Sequence, residues 1–181
     1  RAAQLDPRAR GDAPVIILGV DPGATTGWCA YDTIGRRTVG SGCFEADSVP
    51  NELWSLLRSD GAIVIERPVA HGPTRPQVVE CARIEGILYE RLRRDIQVYE
   101  LTRLQVRQTL QAELHGTVRV TNDATVWAAI VLLHGDGSDA KARRKKGEII
   151  APAGAIGEVS GHARAALAVA VAWWLIRENK T

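Results

Sequence analysis

Cysteine is scarce and irregularly placed in this chain: Cys29, Cys43 and Cys81 are the three among 181 residues. An odd number in no metal-type spacing excludes a disulfide framework and reads as free, buried thiols in a reducing compartment. Cytoplasmic chemistry is the expectation. Long apolar runs are also missing. The longest, Ala165 to Ile176, is too short to span a bilayer and reads as a core helix, so no membrane association is expected. Arg1 to Ala13 is polar and lacks a signal-type apolar run; it reads as a flexible N-terminal arm (1–13) ahead of a single domain at 14–181. Charge of one sign is not in excess either. A formal net charge of +2 and a pI near 8.6 make the global balance a weak argument for a polyanionic partner. There is no internal repeat, and 45% hydrophobic with 24% charged residues suits one globular domain with a real core.

What is present is a pattern of buried strands alternating with helices. Val15 to Val20 is a continuous apolar run of the kind found in a strand covered on both faces, and it ends at Asp21. Pro22, Gly23 and Gly27 punctuate a turn. Trp28 to Tyr31 and Val39 to Phe44 read as the second and third strands of an antiparallel meander. A short helix over Asn51 to Ser59 precedes another buried strand, Ala62 to Ile65, which ends at Glu66. After the Pro68 to Pro76 loop, a helix is expected over Gln77 to Arg94, with Val78, Ala82, Leu88 and Leu92 near one face and Gly86 permitting close backbone approach. Ile96 to Leu101 is then a strand parallel to the Ala62 strand, because a helical crossover separates them. Helices near Leu104 to Ala112, near Asn122 to Leu133 and from about His162 complete the domain. Between the last two lies a glycine-flanked basic loop with Lys141, Arg143, Arg144, Lys145 and Lys146. It is either a solvated surface loop or a means of neutralising phosphates.

If the first strand lies beside the parallel fourth, Asp21 and Glu66 stand at adjacent carboxyl ends, where open α/β sheets place their sites. Two close carboxylates repel unless a proton or a cation separates them, so the pair implies either a raised pKa or a hard divalent metal such as Mg²⁺. Singly, each acid has an ordinary explanation, since Asp-Pro-Gly is common turn chemistry and a Glu before Arg67-Pro68 can simply face solvent. Both at the ends of buried apolar strands is a less ordinary coincidence.

Several strings follow in order: Gly19-Val20-Asp21-Pro22-Gly23, Thr26-Gly27-Trp28, Val64-Ile65-Glu66, Ala82-Arg83-Ile84-Glu85-Gly86, Val106-Arg107-Gln108-Thr109, then His162 and Ala166-Leu167-Ala168-Val169-Ala170. Together, from about Val15 to Trp174, they resemble the RuvC family of Holliday-junction resolvases within the RNase H-like superfamily. The resemblance implies an α/β, RNase H-like fold with a mixed five-stranded sheet flanked by helices. It also implies a homodimer, and nicking of four-way junction DNA with divalent metal ions, Mg²⁺ or Mn²⁺, two per active site.

By position, Asp21 and Glu66 match the first two catalytic acids of that family, and His162 falls where the family has Asp or His. Three residues on, where the family places its last catalytic Asp, stands Ala165. Positions three apart share a helix face, so 162 and 165 would both point from the first turn of the last helix towards Asp21 and Glu66. Asp21, Glu66 and His162 would ligate the ions, with one carboxylate missing at 165. The favoured explanation is an Asp-to-Ala replacement that inactivates the enzyme. For DNA, the resemblance sends the loop after Glu66 into the junction centre, making Arg67, His71 and Arg75 candidates, with His71 as its nearest substitute for a stacking aromatic. Arg107 takes the place of a family lysine that could steady the scissile phosphate. Trp173 and Trp174 read as core or dimer packing. Two other readings compete: a non-cleaving junction-binding protein in which Ala165 is natural, and an ATP-binding protein of the actin, Hsp70 and sugar-kinase type, whose first phosphate loop resembles Asp21 to Gly27.

Overall fold

The structure is a computed structural model, and it describes residues 16–45, 50, 52–56, 61–69, 76–92, 96–134, 144–145, 148–149, 156, 159 and 161–179. Five strands form one mixed sheet: β1 (Ile16–Asp21), β2 (Thr25–Asp32), β3 (Arg37–Glu45), β4 (Ala62–Arg67) and β5 (Gln97–Thr102). Their spatial order is β3-β2-β1-β4-β5. The β1–β2 and β2–β3 pairs are antiparallel, whereas β1–β4 and β4–β5 are parallel. The meander and the parallel crossover thus lie as the sequence pattern predicts. Among the described residues five helices flank the sheet: α1 (Glu52–Leu56), α2 (Pro76–Leu92), α3 (Arg103–Glu113), α4 (Asp123–His134) and α5 (His162–Glu178). Among the described residues no helix is long and apolar enough to cross a membrane.

Strand residues alternate between faces, and two separate cores record that alternation. On one face, Ile17, Cys29, Tyr31, Ala62, Val64 and Leu101 pack against α3, α4 and α5. On the other, Leu18, Val20, Trp28, Ala30, Ile63 and Ile65 pack against Leu53 of α1 and Ile84 and Leu88 of α2. Helix α5 is buried almost throughout, from Ala163 to Leu175 with Arg164 and Ala165 the partly exposed exceptions, as its uninterrupted apolar sequence requires. Trp173 and Trp174 are core residues, stacked near Tyr99 and Tyr31 respectively.

Close helix–sheet approach comes from glycines other than the expected one. A β-carbon on Gly19 would stand 2.0 Å from the Ala166 carbonyl oxygen, and one on Gly27 would stand 2.3 Å from that of His162. Only the absence of a side chain at these two positions lets α5 settle on β1 and β2. Gly86, by contrast, is exposed, and a β-carbon there would meet nothing within 4 Å. The inward positions of α2 are Ile84 and Leu88, while Ala82 is exposed. Of the expected face Leu88 is buried, Val78 is partly exposed and Ala82 exposed, the Leu92 side chain lies outside the described residues, and Gly86 falls on the outer side. The thiols also differ from expectation: Cys29 is buried, but Cys81 is partly exposed and Cys43 lies exposed on β3. Part of the basic loop is ordered as a two-residue ribbon, β6 (Arg144–Lys145) paired antiparallel with β7 (Glu148–Ile149).

Candidate active site

Strand parity places the two acids. In β1, Ile17 and Gly19 face α5, so Asp21, two residues on, faces the same side. In β4, Ala62 and Val64 face that side, and so does Glu66. The register aligns Val20 with Ile65, which brings Asp21 and Glu66 to neighbouring ends of two parallel strands. Both are largely covered, with side chains 14% and 11% exposed. Burial first, and then the charge of Glu66, pushes the Asp21 carboxyl from 3.8 up to about 7, against the opposing pull of Arg103. The register brings the two acids to one edge, and Asp21 carries the raised pKa that the sequence pattern offered as the alternative to a bound cation.

The start of α5 lies at the same edge. Gly27 is the register partner of Asp21, and the His162 main chain rests directly on Gly27. The Gly161–Ala165 turn is therefore beside Asp21. The side chain of His162 is exposed, and among the described residues no hydrogen bond or ion pair joins it to Asp21 or Glu66. Its neighbour Arg164 turns back, donating from Nε to the Val159 carbonyl at 3.1 Å and lying 4.9 Å over the Trp127 ring.

The group that does join the acids is Arg103, which the sequence analysis missed. Its Nε donates to Glu66 Oε1 at 2.6 Å, its NH2 lies 3.7 Å from Asp21 Oδ1, and its NH1 lies 3.4 Å from Asp123 Oδ1. Its position follows from a helix cap. Strand β5 passes into α3 without a loop because Thr102 caps the helix: Gln105 N donates to Thr102 Oγ1 at 3.2 Å, while Thr102 N donates to Gln105 Oε1 at 2.8 Å. Arg103 is thereby the first helical residue, one step past Thr102, which pairs with Arg67 next to Glu66. The Thr-x-x-Gln string after a strand was the available signal. Asp123, likewise unforeseen, opens α4, whose first turn is closed by Asn122 Oδ1 accepting from Thr125 N at 3.0 Å.

A cavity of about 560 Å³ opens over this cluster, lined by Asp21, Glu66, Arg67, Arg103 and Arg107, with apolar edges at Val69 and Leu104. Arg67 and Arg107, both candidates from sequence, are thus at the site. Arg67 also pairs with Glu100 at 3.5 Å, and Arg107 with Asp123 at 3.6 Å. Arg107 Nε is buried without a hydrogen-bond partner. His71, Arg75, Lys141, Arg143 and Lys146 lie outside the described residues, as do the side chains of Arg144 and Lys145.

The donor set suits one hard cation. Two largely covered carboxylates, with Asp21 pushed towards protonation by desolvation first and then by Glu66, present oxygens that such an ion could take in place of the Arg103 guanidinium. Among the described residues no group of three or more His, Cys, Asp or Glu side chains converges, so with Ala at 165 a second ion has no ligand set of its own.

No protein-family model and no curated protein matches this sequence. Solved structures do match by fold. A structure of Thermus thermophilus RuvC in complex with Holliday junction substrate superposes with a TM-score of 0.53 at 16% identity, covering 91% of this chain and 96% of that one. A second Thermus thermophilus RuvC structure gives a TM-score of 0.53 at 17% identity with the same coverage. The five-stranded mixed sheet, its flanking helices and these neighbours together give the chain an RNase H-like α/β fold of the RuvC kind.

Proposed function

We propose that this chain is a structure-selective DNA endonuclease acting on four-way junctions by metal-dependent phosphodiester hydrolysis, inactivated by an Asp-to-Ala change at position 165. One observation carries the reading: Asp21 and Glu66, largely covered at adjacent ends of β1 and β4, lie on the sheet face and edge where α5 begins. That a neighbour of the same fold is described with a Holliday junction substrate supports junction DNA as the partner. Asp21 and Glu66 would hold Mg²⁺ or Mn²⁺, with His162 and an acid at 165 completing a two-ion set. Bound there, such ions supply a nucleophilic water and stabilise the leaving oxyanion.

The rest is the work of the chain's own side chains. Arg67, Arg103 and Arg107 give the cavity a cationic wall that suits a phosphate. Symmetric nicking of two opposed strands needs two such sites, hence a homodimer. Position 165 is partly exposed in the first turn of α5, so a carboxylate fits there without entering the core.

The test is cleavage of a synthetic mobile four-way junction by the Ala165→Asp protein with Mg²⁺, with linear duplex as control. Junction-specific nicking by the variant and none by the parent is the expected result. Junction binding without nicking by either protein would instead establish a non-cleaving junction binder, a reading favoured by the absence, among the described residues, of a third ligand at the acid pair. Light scattering checks the dimer, and a monomer at working concentration counts against it.

A further inference from the structure

Arg103 breaks a local rule. A cation in the first turn of a helix opposes the helix dipole, which favours acids there, yet Arg103 is the first residue of α3. Each of its three guanidinium nitrogens is turned to a different carboxylate: Nε to Glu66, NH2 to Asp21 and NH1 to Asp123. The arginine is also 42% exposed and lines the cavity beside Arg107 and Arg67. It is anchored by charge rather than by burial.

We infer that Arg103 is the internal counter-ion of the acid pair, competing with the divalent cation for Asp21 and Glu66, and that cation binding frees its guanidinium for a substrate phosphate. This rests on the metal-dependent reading proposed above. Without a cation, Asp21 and Glu66 need a positive charge, and the guanidinium supplies it. A cation held by the two acids removes the negative charge that restrains Arg103 and repels it. Charge-assisted contacts exchange readily when their partner is neutralised, and a forked guanidinium matches phosphate as well as carboxylate. Arg103 is in this sense a positioning residue that makes phosphate capture follow cation binding.

The test is direct Mn²⁺ titration of the full chain, followed by the paramagnetic resonance signal of the free ion, for the parent, Arg103→Gln, Arg103→Lys and Arg107→Gln. Competition predicts that Arg103→Gln tightens Mn²⁺ binding by about fivefold, the upper end for releasing a partly exposed charge pair. Arg107→Gln removes a like charge that touches Asp123 but neither proposed ligand, and its affinity should stay within about twofold. Arg103→Lys, which keeps the charge, should fall between the parent and Arg103→Gln. Junction affinity, measured by fluorescence anisotropy, should rise with Mn²⁺ in the parent and lose that response in Arg103→Gln. Unchanged or weaker Mn²⁺ binding by Arg103→Gln overturns the inference while leaving the metal-dependent reading intact. An equal gain in Arg107→Gln also overturns it, since the effect would then be general charge. No Mn²⁺ binding by any of the four proteins defeats the proposed function itself.

Discussion

Replacing Asp21 by Asn tests the electrostatic account of the acid pair through folding stability alone. Unfolded, the Asp21 carboxyl titrates near 3.8; folded, it does so at about 7. Below the lower value both states hold the proton, and there is no effect. Between the two values the folded state retains a proton that the unfolded state has released, so folding stability falls as pH rises, and the loss levels off above 7. At about 1.36 kcal/mol for each pH unit of separation, the full loss is on the order of 4 kcal/mol. That is a large share of the roughly 5–15 kcal/mol typical of a domain. His134 titrates in the same range with the opposite sense: burial, and then Arg36, lower its pKa from 6.5 to about 4, so its contribution is lost as pH falls through that window. It does so in both proteins and cancels in their difference. Urea unfolding followed by tryptophan fluorescence in chelator, at half-unit steps from pH 4 to 8, gives that difference. Asp21→Asn should gain on the parent steadily to about pH 7, and Mn²⁺ should close the gap by stabilising the parent alone. A difference flat to within about 0.5 kcal/mol, the ordinary scatter of surface substitutions, would refute the reasoning.

Three further outcomes follow from the geometry. Gly19→Ala would set a methyl 2.0 Å from a backbone oxygen of α5; the helix must lift, and a loss of about 3 kcal/mol or more is expected in thermal or denaturant unfolding, at the upper end of overpacking costs. Thr102→Ala removes the cap that joins β5 to α3, so unfolding should show a loss of about 1 kcal/mol, equivalent to a fall of roughly 2–4 °C in Tm for a domain of this size. Trp173→Ala empties a core position packed against Tyr99, and denaturation should report a loss of roughly 3–5 kcal/mol.

Most of the fold was legible because its strands advertise themselves. The apolar runs ending at Asp21 and Glu66 are buried on both faces, and a run with no polar alternation has few other uses in a chain this size. The same runs located the acid pair. Arg103 and Asp123 escaped because local composition marks them at most as helix starts, as the Thr-x-x-Gln string does for Arg103, and only the three-dimensional return of β5 and α4 to one edge makes them partners. The glycines misled for a related reason. Gly86 sits in a helix, where glycine invites the expectation of a tight crossing, but close contact depends on the helix's rotation, and with Ile84 and Leu88 turned inward Gly86 faces out. Gly19 and Gly27 lie in strands, where sequence alone does not separate a glycine under a helix from one in a turn.

α5 is seated on Gly27 through the carbonyl group and Cβ of His162, atoms that every residue but glycine shares. Nothing in that support reads the identity of the side chain at 162, nor of the one at 165 a turn further along. Substituents can therefore be exchanged at both places while the frame around them keeps its shape, much as tool heads change on a fixed spindle. A change of group at either place is an event of chemistry rather than of architecture, and forms of this protein that differ there can share one set of backbone coordinates.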